Sequence, residues 1–274
     1  MAYALTSAAC LVDNPAYDLD GGDGGQPRLD ALPFDGAVRD DLADAPVTAD
    51  VAFTEAGAPD AGGPRVVGPG CDPNNSDLQF CLAFEGSLRD LSSNAVVVTG
   101  EPAFMPGADG AAYWVKNAVG LQTPATSLFA LSRLSLDMWV KLQAWPETQT
   151  QVLVAVPDVM SLFITGKGEL VCDVGNIRAT GPLRDVQLGQ WQGVACVYDG
   201  QGITMFINGI SVGSRTDPGF EPTVTKAPLF VGTALDYDPF TGGLDNVRLW
   251  SRRLTPAELC KSAPDQAECS QIIR

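Results

Sequence analysis

The sequence predicts an all-β domain, an antiparallel β-sandwich or jelly roll, carried behind a disordered acidic N-terminal tail. Three observations predict it. Leu134, Leu136, Met138, Val140 and Leu142 alternate with Ser135, Asp137, Trp139 and Lys141, the period of two of a strand with one face on a core. The runs 194–198 and 203–207 are separated by Asp199-Gly200, and Asn208-Gly209 follows the second. These dipeptides suit turns that need positive φ, so 194–212 reads as a three-stranded antiparallel meander. Further short apolar runs punctuated by glycine, about a dozen strands in all, fit a sandwich better than a helical fold.

The elements follow in chain order. Of the 33 acidic and 17 basic residues, twelve acids and three bases fall in residues 1–70. That stretch contains Asp20-Gly21-Gly22-Asp23-Gly24-Gly25 and is otherwise rich in Ala, Asp, Gly and Pro. Its large apolar residues follow neither the strand nor the helix period. It cannot bury enough surface to offset the entropy of ordering, about 1–2 kcal/mol per residue. Residues 11–70 are therefore expected to be a flexible linker and 71–274 the folded domain. Beyond 134–142 and the meander, strands are expected at 153–155, 161–164, 169–174, 229–232 and 244–250. Trp191 is expected to be buried at the start of its strand. Thr255-Pro256-Ala257-Glu258 reads as a helix start, with a threonine N-cap, proline at the first position and glutamate at the third.

Composition excludes several functions. The chain has no histidine, so neither a Ser-His-Asp nor a Cys-His centre is available, nor an imidazole zinc site. A net charge of −16 argues against nucleic acid, which needs clustered Lys and Arg. Calcium stays open because it takes oxygen ligands. No stretch approaches the apolar length that spans a bilayer.

Residues 1–10 end in Leu5-Thr6-Ser7-Ala8-Ala9-Cys10, which resembles the end of a bacterial lipoprotein signal peptide, with small residues before a cysteine and a tether after it. That resemblance implies a lipid on Cys10, the only membrane attachment the sequence suggests. A bare thiol on the tail is the alternative. Setting Cys10 aside leaves six cysteines in three sequence-neighbour pairs: Cys71/Cys81, Cys172/Cys196 and Cys260/Cys269. Local pairing is the favoured one of the possible connectivities, and six reduced thiols are the alternative. Disulfides point to an extracytoplasmic compartment, at a cell surface, on an outer membrane or secreted.

Trp191-Gln192-Gly193-Val194-Ala195-Cys196-Val197-Tyr198-Asp199-Gly200, with the run Ile203–Ser214 after it, resembles a characteristic segment of laminin-G-like domains. These domains belong to the concanavalin A-like lectin/glucanase superfamily. Asp137-Met138-Trp139-Val140-Lys141, Leu229–Gly232, Gly242–Trp250 and Arg253–Leu259 resemble other family motifs, in the right order. Leu82–Gly86 and Arg89–Asn94 resemble its opening.

The resemblance implies a jelly roll whose first and last strands pair. It also implies a structural Ca2+ at the sandwich edge, held by Glu85 and Asp245, with Asp90 and Asn94 as nearby oxygen donors. Hydrolases of the superfamily carry catalytic carboxylates two to four residues apart on one strand. Glu169 and Asp173 have Val171 between them on the same face, and Asp236-Tyr237-Asp238 falls in a loop, so the domain is expected not to be an enzyme. Glycan binding uses exposed aromatic rings beside polar groups, and Asp236, Tyr237, Asp238 and Trp145 are the candidate ligand residues, with Tyr113-Trp114 behind them. The expected function is a binding module for carbohydrate or a cell-surface or extracellular protein. A structural or adhesion domain without a small-ligand site is the alternative.

Overall fold

The structure is a computed structural model and describes residues 70–260, apart from 116–119, 147–149, 184–185, 217–218, 220–222 and 235–236. Residues 1–69, with Cys10, and Asp236 and Cys269 lie outside the described residues.

The chain runs through β1 (Leu78–Leu82), β2 (Ala103–Pro106), β3 (Ala111–Val115), β4 (Leu121–Gln122) and β5 (Leu134–Leu142). Next come β6 (Gln151–Val156), β7 (Met160–Ile164), β8 (Glu169–Val174), β9 (Ile177–Pro182) and β10 (Trp191–Tyr198). The series closes with β11 (Gly202–Ile207), β12 (Ile210–Thr216), β13 (Phe230–Val231), β14 (Asp238–Pro239), β15 (Gly242–Trp250) and the helix α1 (Pro256–Cys260). They form two sheets. Sheet A has the order β12-β11-β10-β5-β15-β3-β2, with β1 also on β15. Sheet B has the order β4-β13-β6-β7-β8-β9, with β14 beside β6. All pairings are antiparallel except β14 with β6.

The alternation in β5 decides which way the sandwich faces. Leu134, Leu136, Met138, Val140 and Leu142 are all buried in the space between the sheets. Sheet B meets them with Leu162 and Ile164, Leu170 and Val174, and Leu153 and Val156. The expected meander is present as β10–β12, with Asn208 and Gly209 both at positive φ in its second turn. The first and last strands pair, with Phe80 opposite Leu249 and Leu82 opposite Val247.

The outer face of sheet A carries a second layer. Leu254 and Leu259 from the C-terminal turn and α1 pack with Phe206, Val197 and Trp250. Beneath them Asp137 accepts hydrogen bonds from Arg248 Nε at 3.0 Å and Trp250 Nε1 at 2.8 Å, and Arg248 Nη2 also donates to it. Thr255 caps α1: Glu258 N donates to Thr255 Oγ1, and the Glu258 carboxylate accepts from Thr255 N at 2.8 Å.

Trp191 departs from expectation. It is half-buried and lies on the outer face of sheet A, with the Lys141 ammonium 5.9 Å from its ring. The reason is strand parity: Val194 and Cys196 point inward, so Trp191 at odd spacing points out.

Cys71–Cys81 and Cys172–Cys196 are disulfides. The second joins β8 of sheet B to β10 of sheet A. Cys260 is also disulfide-bonded.

Candidate functional site

Two arrangements stand out, one on the outer face of each sheet. On sheet B, Leu162 and Ile164 point into the core, so Ser161 and Phe163 point out. The same parity sends Val171 and Asp173 of β8 and Arg178 of β9 to that outer face. The cross-strand register puts Ser161 opposite Asp173, and Asp173 opposite Arg178. Arg178 donates through Nε to Asp173 Oδ1 at 2.7 Å and through Nη2 to Oδ2 at 2.6 Å. Asp173 thereby holds the guanidinium above its ordinary pKa. The guanidinium carbon lies 5.4 Å from the Phe163 ring centre.

Tyr237 completes this face. A bridge between Ala234 and Tyr237 closes a tight turn, and β14 is anchored on β6. The turn lays the Tyr237 ring 5.5 Å from Phe163, tilted by 31°. Tyr237 stands between two hollows. One, of about 350 Å³, is lined by Asp158, Ser161, Asp173 and Phe230. The other, of about 640 Å³, is lined by Thr99, Gln122, Thr233 and Pro239. Val152, Ala155, Phe163 and Val171 form the apolar floor, with Ala234 and Tyr237 against it. Asp238 sits half-buried in β14. Trp145 is 37% exposed in the connection after β5 and lines neither hollow. Tyr113 is in the core.

Parity alone singles out Phe163, an aromatic facing away from the core. The Gly175-Asn176 turn between β8 and β9 is a hairpin signal that would have paired Asp173 with Arg178. Neither signal reaches Tyr237, which arrives from 74 residues further along the chain.

On sheet A, Glu85 and Asp245 converge on the turn 107–110. Asp245 Oδ2 accepts from Ala108 N at 3.0 Å and Asp109 N at 3.3 Å. Glu85 Oε2 accepts from Ala111 N at 3.1 Å. The turn presses so close that a Cβ at Gly107 would come 2.7 Å from Asp245 Oδ2, and one at Gly110 would overlap the Glu85 carboxylate. Burial pushes the Asp245 carboxyl up to about 7 against the lowering effect of its backbone hydrogen bonds, and the charge of Glu85 adds to the rise.

Next to it, Asn246 Oδ1 is buried with no hydrogen-bond partner. Phe84 and Asn246 both take positive φ, 57° and 49°, a strain of about 1–3 kcal/mol each that persists only where surrounding structure enforces it. Glu85, Asp109 and Asn246 line a cavity of about 670 Å³.

The other two residues expected there are engaged differently. Asp90 Oδ1 accepts from Cys81 N and Ser92 N, and Oδ2 from Ser92 Oγ and Val96 N. Asn94 Nδ2 donates to Gln79 O. Asp90 thus organises the loop after β1 with all its near hydrogen-bonding capacity spent. Among the described residues no three His, Cys, Asp or Glu side chains cluster.

A family model for the concanavalin A-like lectin/glucanases superfamily, of laminin-G type, matches residues 116–260, just over half of the chain. The chain belongs to this family. No curated protein matches the sequence. Among solved structures, this laminin-G-type chain resembles domain 4 of AbnA, a GH43 extracellular arabinanase from Geobacillus stearothermophilus, solved with arabinotriose. The two are 23% identical with a TM-score of 0.57, over 68% of this chain and 98% of that one. It also resembles the binding domain of Paraclostridial mosquitocidal protein 1, at 16% identity and TM-score 0.56, over 67% of this chain and 51% of that one. A botulinum neurotoxin type C structure, from a study of cell entry dependent on two ganglioside molecules, matches at 10% and 0.54, over 67% and 50%. The chain therefore spans nearly all of the arabinanase domain and about half of each toxin structure. These likenesses establish a shared fold.

Proposed function

We propose that this laminin-G-type domain is a non-catalytic, extracytoplasmic carbohydrate-binding module, with its ligand surface on the outer face of sheet B. The observation that carries the reading is the grouping of Phe163, Tyr237 and the Arg178–Asp173 pair beside an open hollow. Aromatic faces offer stacking area to the C–H faces of a sugar ring. A bidentate guanidinium–carboxylate pair presents fixed donors and acceptors to hydroxyl groups. Resemblance to an arabinanase domain solved with arabinotriose, and to a neurotoxin whose cell entry depends on interaction with two ganglioside molecules, supports the same reading.

The absence of catalysis is part of the proposal. Glu169 and Asp173 flank apolar Val171 on this face, and Asp173 is already paired. A general acid on this face would need a carboxyl not already committed to a cation. The disulfides support an oxidising compartment. Anchoring through a lipid on Cys10 would tether the module to a cell surface or outer membrane.

On sheet A, Ca2+ would be held by Glu85, Asp245 and the unpartnered Asn246 Oδ1. This all-oxygen set suits a hard cation. When bound, the ion would supply charge neutralisation, which offsets the burial of Asp245 beside the exposed Glu85 carboxylate, and would tie the first strand to the last.

Glycan-array binding followed by titration calorimetry tests the carbohydrate reading. The expected result is binding of at least one oligosaccharide, weakened about tenfold or more by Tyr237→Ala with folding retained. A protein that binds no glycan on a broad array would overturn it.

A further inference from the structure

We infer that the outer face of sheet B selects uncharged sugars and rejects anionic ones, an inference that rests on the carbohydrate reading above and narrows it. The charge balance of the hollow beside Tyr237 carries it. Among the described residues no Lys or Arg lines the hollow, and the Arg178 guanidinium beside it is committed to Asp173 through two short hydrogen bonds. The pair is close to neutral as a unit. It keeps hydrogen-bonding edges, since Arg178 Nη1 is not used and each Asp173 oxygen retains a second lone pair. Such an edge serves hydroxyl groups, which donate and accept at once. An anionic substituent could use only the donors, and it would have to displace Asp173 to do so.

The second carboxylate in the hollow is uncompensated. Asp158 lines it together with Ser161 and Asp173, and forms no ion pair among the described residues. Its position is held by a tight turn, in which Val159 N donates to Val156 O and Asp158 takes φ 62°. A carboxylate or sulfate on a ligand in the hollow would therefore meet one paired and one bare negative group in its lining. Like charges juxtaposed at a binding surface discriminate by repulsion rather than by loss of contact.

The chain's net charge of −16 acts in the same direction only at long range. That range is about 8 Å at physiological ionic strength, so Asp158 is the local determinant.

The test uses the full chain and matched ligand pairs that differ in one acidic group: lactose with 3′-sialyllactose, and a neutral oligosaccharide with its uronate counterpart. Wild-type protein is expected to bind the neutral member about tenfold or more tightly than the charged one. Asp158→Asn keeps a residue that tolerates left-handed backbone, so folding should be preserved. It is expected to shrink the neutral-over-charged affinity ratio several-fold, by raising affinity for the charged member.

Preference of the wild type for the acidic member would overturn the inference while leaving the carbohydrate reading intact. Neutral preference that survives both Asp158→Asn and Tyr237→Ala unchanged would overturn the assignment to this face. Binding of neither member of any pair, with the array also blank, would remove the carbohydrate reading itself.

Discussion

Cys172 in β8 and Cys196 in β10 are disulfide-bonded across the interior, with their Cα atoms 6.3 Å apart. Among the described residues this is the covalent link between the two sheets. Side-chain packing around the Leu136–Met138–Leu162–Leu170 layer ties the same two sheets.

Removing that link measures its worth. The bridge closes a segment with sequence separation 24, for which loop-closure entropy gives about 3 kcal/mol of stabilisation. A Cys172→Ala, Cys196→Ala protein is expected to lose about that much in urea denaturation. Its melting temperature should fall by roughly 6–12 °C for a domain of this size. The sheets should still form, as read by an unchanged far-ultraviolet circular dichroism spectrum.

The buried Asp137–Arg248 pair should be more sensitive than any surface ion pair. Both side chains are at most 5% exposed, whereas Arg178 is 58% exposed. Asp137→Asn leaves the Arg248 charge under Leu254 and Leu259 without its counter-ion. A loss of about 3–5 kcal/mol is expected. Arg178→Gln, at the rim, should cost about 1 kcal/mol or less while lowering glycan affinity. Equal stability losses in the two variants would contradict the burial argument.

Calcium should raise stability if Glu85, Asp245 and Asn246 hold it. At a hundredfold excess over its dissociation constant the ion contributes about 2.7 kcal/mol, or roughly 5–10 °C in Tm. Chelator should reverse the shift, and Glu85→Gln with Asp245→Asn should abolish it. A shift that persists in the double variant would place the ion elsewhere, and no shift in the wild type would remove it.

Acid should erase one stabilising contact at the C-terminal turn. Arg252 beside Glu258 holds that carboxyl down at about 2, opposed by burial and helped by the Thr255 N–H and hydroxyl donors. The folded value lies below the unfolded value of about 4.3. The contribution is therefore present above that value and is lost as pH falls toward 2. Glu258 is partly exposed, so its contribution is modest, about 1 kcal/mol or less. Glu258→Gln should be less stable than wild type at pH 7 and indistinguishable from it near pH 2. Denaturation curves at three pH values would show the convergence.

How much of this was legible in advance depends on the range of the interaction. The strand at 134–142, the meander across Asp199-Gly200 and Asn208-Gly209, and the cap at Thr255 and Glu258 were all readable. In each, the signal and the structure it specifies lie within a few residues, where side-chain parity, turn φ and capping act directly. Family resemblance extended this to the pairing of the first and last strands.

The binding face was only partly visible. Tyr237 was singled out as an aromatic among acids. Its partners Phe163 and Arg178 were not, because each is ordinary in its own strand, and Asp173 was weighed only as half of a carboxylate pair with Glu169. Likewise Asp137 looked like one more polar residue on an alternating strand, and nothing near it announced Arg248, 111 residues away. The sequence by itself determined the layers, through local periodicity and turn chemistry. Only the tertiary structure decided which outward-facing side chains meet, because that depends on the order in which strands add to a sheet. Strand order is settled by long-range burial, and no local window contains it.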